Sequence, residues 1–141
     1  MAEVPYIPRG VYSRVLEALG DTRIVVIQGA RQVGKSTLTA QVLSERPGVA
    51  ITLDDPAARS FAMSDPNGFV AQAPDSTLVI DEIQRVPDLV IALKSAVDRD
   101  ARPGRFLVTG SADLLALTAT HESLAGRAER IVLRPFARRE W

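Results

Sequence analysis

Gly29-Ala30-Arg31-Gln32-Val33-Gly34-Lys35-Ser36 sets glycine, four free residues, glycine, lysine and a hydroxyl residue in the order that cradles a phosphate chain. Gly29 and Gly34 supply backbone freedom where a side chain would block the turn or the approach of phosphate. In such a loop the ammonium of Lys35 stands between the β- and γ-phosphates, the hydroxyl of Ser36 coordinates magnesium, and Thr37 reinforces the start of the following helix. At average residue usage a match of this kind arises by chance in on the order of one chain of this length in a few hundred. The plain alternative is a glycine turn carrying a surface lysine. Lys35 and Lys94 are the only lysines among 17 basic residues, which weighs against background placement. Arg31 lies inside the loop, where simply facing solvent accounts for it. The expected nucleotide-binding set is therefore Gly29, Ala30, Arg31, Gln32, Val33, Gly34, Lys35, Ser36 and Thr37.

Asp81 and Glu82 close an apolar run, Leu78-Val79-Ile80, and form the second constellation. At the end of a strand in a parallel sheet, side chains open onto the ligand crevice. Asp81 is suited to holding magnesium through water, and Glu82 to acting as the general base that polarises an attacking water. The competing reading is a charged strand end that caps the next helix. The order of phosphate loop, intervening strand and acidic pair favours hydrolysis. The only asparagine is Asn67, so no Asn-Lys-x-Asp guanine-reading motif exists and ATP is the preferred nucleotide.

These residues need a scaffold, and the sequence supplies one. Val11, Tyr12, Val15, Leu16 and Leu19 recur at helical spacing, with Gly20 placed to cap that helix. Ile24-Val25-Val26-Ile27 is a continuous apolar run, as in a strand buried on both faces, and the phosphate loop follows it directly. The loop then feeds the positive end of a helix over Thr37 to Glu45, ended by Pro47-Gly48. Val49 to Leu53 predicts a second strand. Asp55-Pro56 and Asp65-Pro66 each combine an N-cap with proline at the first helical position, predicting two short helices. Pro87 to Asp100 carries Leu89, Val90, Leu93, Ala96 and Val97 on one face. Arg102-Pro103-Gly104 is a turn, Phe106 to Val108 a fourth strand ending in Thr109-Gly110-Ser111, and Ile131 to Leu133 a fifth after a weakly helical stretch around Asp113 to Gly126. Strands alternating with helices imply an α/β fold with a mostly parallel sheet.

A chain of 141 residues is about one domain long and can bury a real core. Apolar residues at 46% and charged residues at 24% exclude a disordered chain, and no stretch is long enough to span a bilayer. Seventeen acidic residues cancel seventeen basic ones, so nucleic acid held by bulk charge is not indicated. There is no cysteine, and the first residues lack the layout of a secretion signal, so the expected location is cytoplasmic. His121 is the only histidine and has nothing with which to build a zinc site. The chain stops at Arg138-Arg139-Glu140-Trp141 straight after an apparent strand and with no closing helix, which suggests a fragment or the first domain of something longer.

Tyr6-Ile7-Pro8-Arg9, GARQVGKST, TLDDP at 52–56, LVIDEIQ at 78–84, VTGSA at 108–112 and ESLAGR at 122–127 together resemble the bacterial and archaeal AAA-type ATPases known mainly as ATP-binding proteins. The resemblance covers nearly the whole chain. It implies a three-layer αβα sandwich with sheet order 5-1-4-3-2, in which the fourth strand separates the phosphate-loop strand from the Asp-Glu strand. It implies a continuation into a helical region and a C-terminal domain. It also puts Thr109 and Ser111 where a polar residue contacts the γ-phosphate or the attacking water. Ser111 is the preferred candidate, although capping the helix near Asp113 explains it equally. Arg127, in Leu124-Ala125-Gly126-Arg127, could reach the γ-phosphate of its own or a neighbouring subunit, while the shortness of the motif and the many arginines around it favour the bland reading of a surface arginine. Tyr6, Ile7 and Pro8 either pack on the adenine or order the N-terminal helix.

The expected activity is Mg-dependent ATP hydrolysis, with Lys35, Glu82, Ser111 and Arg127 as catalytic candidates and Ser36 and Asp81 as the magnesium candidates. The rival is a nucleotide-gated interaction module with little turnover of its own. Phosphoryl transfer to a small acceptor is a third class, for which the sequence offers no acceptor pocket. Candidate partners are ATP or ADP, a second copy of the chain and a C-terminal domain.

Overall fold

A computed structural model of the chain describes residues 9–29, 35–110 and 128–133. The described elements run α1 (Arg9–Asp21), β1 (Ile24–Gly29), α2 (Lys35–Glu45), β2 (Gly48–Thr52), α3 (Pro56–Ser64), α4 (Pro66–Val70), β3 (Thr77–Asp81), a 3-10 turn (Ile83–Arg85), α5 (Leu89–Arg99), β4 (Phe106–Gly110) and β5 (Ala128–Leu133). The five strands form one sheet in the order β2-β3-β4-β1-β5, all neighbours parallel. Read from the other edge, this is the expected 5-1-4-3-2.

Strand periodicity divides the core in two, because successive side chains leave opposite faces of the sheet. Ile24, Val26, Leu78, Ile80, Phe106 and Val108 share one face with Phe69 of α4 and Leu89, Leu93 and Val97 of α5. Val25, Ile27, Val79, Leu107 and Ile131 share the other with Val15 and Leu19 of α1 and Leu38 and Val42 of α2. Apolar matter on both faces is why the inner strands read as unbroken hydrophobic runs. β2 is an edge strand and is exposed along most of its length, which is why its sequence carries the weakest apolar signal.

Both predicted aspartate caps are present. Asp55 accepts from Ala57 N at 3.2 Å, and Asp65 accepts from Gly68 N at 3.0 Å. One expectation fails: Gly20 does not cap α1, which continues to Asp21, with Thr22 N donating to Ala18 O at 2.8 Å. The glycine that needs its freedom is Gly104, at φ +74° in the turn before β4. A Cβ there would stand 2.9 Å from Leu19 O, so the backbone of α1 leaves no room for a side chain.

Candidate functional site

All the parallel strands end on the same side, and that side carries the chemistry. β1 stops at Gly29, immediately before the loop, and α2 begins at Lys35. Residues 30–34 of the loop, the side chains of Lys35 and Ser36, and Ser111 and Arg127 lie outside the described residues, as do Tyr6 to Pro8 and the stretch around Asp113 to Gly126. Thr37 sits half-buried in the first turn of α2. The structure therefore fixes the strand that enters the loop and the helix that leaves it.

The second constellation is described in full. Asp81 is the last residue of β3 and shares side-chain parity with Val79, whose face of the sheet is the one covered by α1 and α2. β4 lies between β3 and β1, with Ile80 opposite Val108 and Ile27 opposite Thr109. That register sets Thr109 beside Asp81. The Thr109 hydroxyl is fully buried, donates to Asp81 Oδ1 at 3.0 Å and accepts from the Glu82 backbone N at 3.1 Å. One side chain thus holds both acidic residues to the neighbouring strand.

Glu82 has φ 62° and ψ 49°, a left-handed conformation uncommon for a residue with a Cβ. The turn breaks the strand and redirects the Glu82 side chain away from strand alternation. Its carboxylate does not cap the 3-10 turn, which has no side-chain cap bond, so the capping alternative is not what the geometry displays. Gln84 Nε2 instead donates to Glu82 Oε1 at 2.7 Å. Strain at one residue is tolerated where surrounding bonds over-determine it, and here Thr109 fixes the amide while Gln84 holds the carboxylate.

Two further contacts anchor the surroundings. Arg85 Nε pairs with Asp54 Oδ1 at 3.0 Å, linking the turn after Glu82 to the turn after β2. Leu53 N donates to Asp81 O at 3.0 Å, continuing the ladder beyond β2. The sequence named Thr109 only as the lesser alternative to Ser111, and gave no role to Gln84, Arg85 or Asp54. The available signal for Thr109 was parity with Leu107, which puts its hydroxyl on the same face as Asp81. The missing information was that β3 and β4 are adjacent in that register.

The sequence profile described as an AAA domain matches residues 21–141. The chain belongs to the AAA domain family. Uncharacterized proteins of Mycobacterium tuberculosis and Mycobacterium bovis are each 37% identical to it over 127 residues, which is 89% of this chain and 28% of theirs. The chain therefore spans less than a third of the length of the curated relatives it matches. Among solved structures, the Walker-type ATPase PABY2304 of Pyrococcus abyssi superposes with a TM-score of 0.64 at 16% identity, covering 99% of this chain and 57% of that one. A chain of the Drosophila ORC bound to DNA superposes with a TM-score of 0.51 at 12% identity over 92% of each. At such identities these structures share the fold. Family and fold together make this AAA domain a P-loop NTPase domain. Among the described residues, no helix is long and apolar enough to cross a membrane.

Proposed function

We propose that this AAA domain binds ATP with magnesium and hydrolyses the terminal phosphoanhydride bond. The observation that carries the reading is the Thr109 hydroxyl bound at once to Asp81 and to the amide of Glu82, at the strand ends that also lead into the phosphate loop. In this reading the loop residues 29–37 wrap the phosphates, with Lys35 against the β- and γ-phosphates. Ser36 and Asp81 hold the magnesium ion, Asp81 through water. No group of three or more acidic, histidine or cysteine side chains converges among the described residues, so phosphate and water oxygens would complete the shell, as is usual for this ion. The ion, when bound, neutralises charge developing on the phosphate oxygens. The carboxylate of Glu82 takes a proton from the attacking water, and Thr109 keeps its backbone from moving as it does so. Ser111 and Arg127 are proposed to contact the γ-phosphate, Arg127 from the same or a neighbouring subunit. The 141 residues act as a single core domain, in the cytoplasm.

Glu82→Gln is the test. Loss of a positioned general base costs about 10²–10⁴-fold in rate. The variant should retain ATP and hydrolyse it that much more slowly, and turnover equal to the parent would remove Glu82 from the mechanism. Lys35→Ala should instead lose nucleotide affinity.

One contact favours the second reading, a nucleotide-gated interaction module. Gln84 donates to one oxygen of the Glu82 carboxylate at 2.7 Å, so the base shares its acceptor capacity with an amide whose release a nucleotide could govern. Single-turnover hydrolysis at saturating protein separates the two: chemistry within minutes supports the enzyme, and persistent bound ATP supports the switch.

A further inference from the structure

The two edges of the sheet are built differently. β5, on one side, carries Glu129 and Arg130, charges of the kind that keep an edge strand from pairing with another chain. β2, on the other, reads Gly48-Val49-Ala50-Ile51-Thr52, with no charge and no proline, and is exposed at four of its five residues. Its register on β3 runs without a bulge from Gly48 opposite Thr77 to Thr52 opposite Asp81. Thr77 N donates to Pro47 O and Leu53 N to Asp81 O, so the odd-numbered residues of this segment turn their amides and carbonyls toward β3. Gly48, Ala50 and Thr52 therefore turn theirs outward. Among the described residues, the one backbone bond these outward groups make is from Asp55 N to Thr52 O, at 3.2 Å.

The side chains add an apolar surface to this open edge. Val49 and Ile51 stand opposite Leu78 and Ile80, on the face packed by α3, α4 and α5, yet Val49 is 41% exposed. α3 packs on α4 and α4 on α5, which makes α3 the outermost helix of that layer, and it exposes Phe61 and Met63. Of the five exposed large apolar side chains among the described residues, three thus belong to β2 and the helix that follows it. On the other face of β2, Gly48, Ala50 and Thr52 present only small side chains.

We propose that β2 is the seam of a homodimer, in which two copies of the chain pair antiparallel about a two-fold axis at Ala50 and join their sheets. Ala50 exchanges both backbone bonds with Ala50 of the second copy, and Thr52 N donates to Gly48 O on either side of the axis. Val49 then lies directly opposite Ile51 of the second copy, and the symmetry makes that contact twice. The charges select a second copy in this orientation. The strand itself is neutral and does not repel its duplicate, while Arg46 precedes it and Asp54 follows it. Pairing centred on Ala50 sets Asp54 across from Arg46 of the second copy, whereas a parallel copy would oppose like charges. Asp55 falls across from Glu45 of the second copy, but there each chain has left the sheet for α3 or α2.

The chain has no cysteine, so a single introduced thiol reports one position. Ala50→Cys sets two thiols across the axis on Cα atoms about 5.5 Å apart, within reach of a disulfide. Val49→Cys sets them on a diagonal, about 7–8 Å apart and beyond that reach. Under mild oxidation of the 141-residue chain, Ala50→Cys should form the linked dimer about tenfold faster or more than Val49→Cys. Sedimentation equilibrium of the parent should show monomer and dimer in exchange. Val49→Lys, an exposed substitution that brings a charge into both halves of the seam, should raise the dissociation constant about tenfold or more while the far-UV circular dichroism stays that of the parent. A parent that remains monomeric from about 1 μM to about 1 mM overturns the proposal. So do equal linking rates for the two thiols, or a dimer indifferent to Val49→Lys.

Discussion

Two buried threonines stand at opposite ends of the sheet, and each bonds across from its own strand to a neighbour. Thr109, near the end of β4, reaches the Asp81 carboxylate and the amide of a Glu82 held in left-handed backbone geometry. Thr77, at the start of β3, donates to Gly104 O at 2.7 Å and accepts from Arg46 Nε at 3.1 Å. Both are fully buried. What separates them is what they hold. Thr77 binds a carbonyl in a turn and the guanidinium of Arg46, which lies against Gly104, groups that close the fold. Thr109 binds Asp81 and the amide of Glu82, the two acidic residues to which the proposed function gives the magnesium ion and the attacking water. On that proposal the same residue type serves stability at one end of the sheet and pre-organisation at the other, and the partners, not the burial, tell them apart.

The comparison breaks most visibly at Thr109. Thr109→Val keeps the shape but removes the hydroxyl, freeing Asp81 and leaving the Glu82 amide without its partner. Steady-state ATP turnover should fall by about 10-fold to 100-fold, the cost of misplacing a positioned group, while Thr109→Ser keeps most of it. An unchanged rate in Thr109→Val would reduce that residue to a packing role. Thr77→Val should show the converse. Its urea midpoint should drop by the equivalent of about 1–3 kcal/mol, because Arg46 and Gly104 O both lose a bond, with turnover per folded molecule unaltered.

The smallest effect sharpens how α1 joins the nucleotide-side layer. Tyr12 donates to Gln41 O at 3.1 Å, and burial, then Glu45, raises its pKa above 10.0. An unfolded tyrosine ionises near 10 and the folded one later, so the contribution of this contact is fully present below pH 10 and fades as pH climbs through the folded value. The parent should lose thermal stability relative to Tyr12→Phe as pH rises from about 9.5 to about 11.5. A constant difference across that range would mean that the hydroxyl titrates alike in both states.

Much of the fold was legible beforehand because strong local signals agreed. The apolar runs at Ile24–Ile27 and Leu78–Ile80, the Asp-Pro pairs at 55–56 and 65–66, and the five-residue stripe on α5 each specify an element without reference to any other. Gly20 misled because a glycine after an apolar stripe marks a cap only when the next residues leave the helix, and here nothing in α1 stops before Asp21. The 3-10 turn after Glu82 went unforeseen, since three residues carry no period to read.

Residue order alone was enough to propose a phosphate cradle and an acidic pair and to read an α/β fold with a mostly parallel sheet, for each is written in consecutive residues whose spacing follows strand and helix periods. It could not choose Thr109 as the partner of Asp81 or show Gln84 on the Glu82 carboxylate. Those facts depend on which strands become neighbours and in what register. Register is settled by the simultaneous packing of two core faces, and no single segment contains that information.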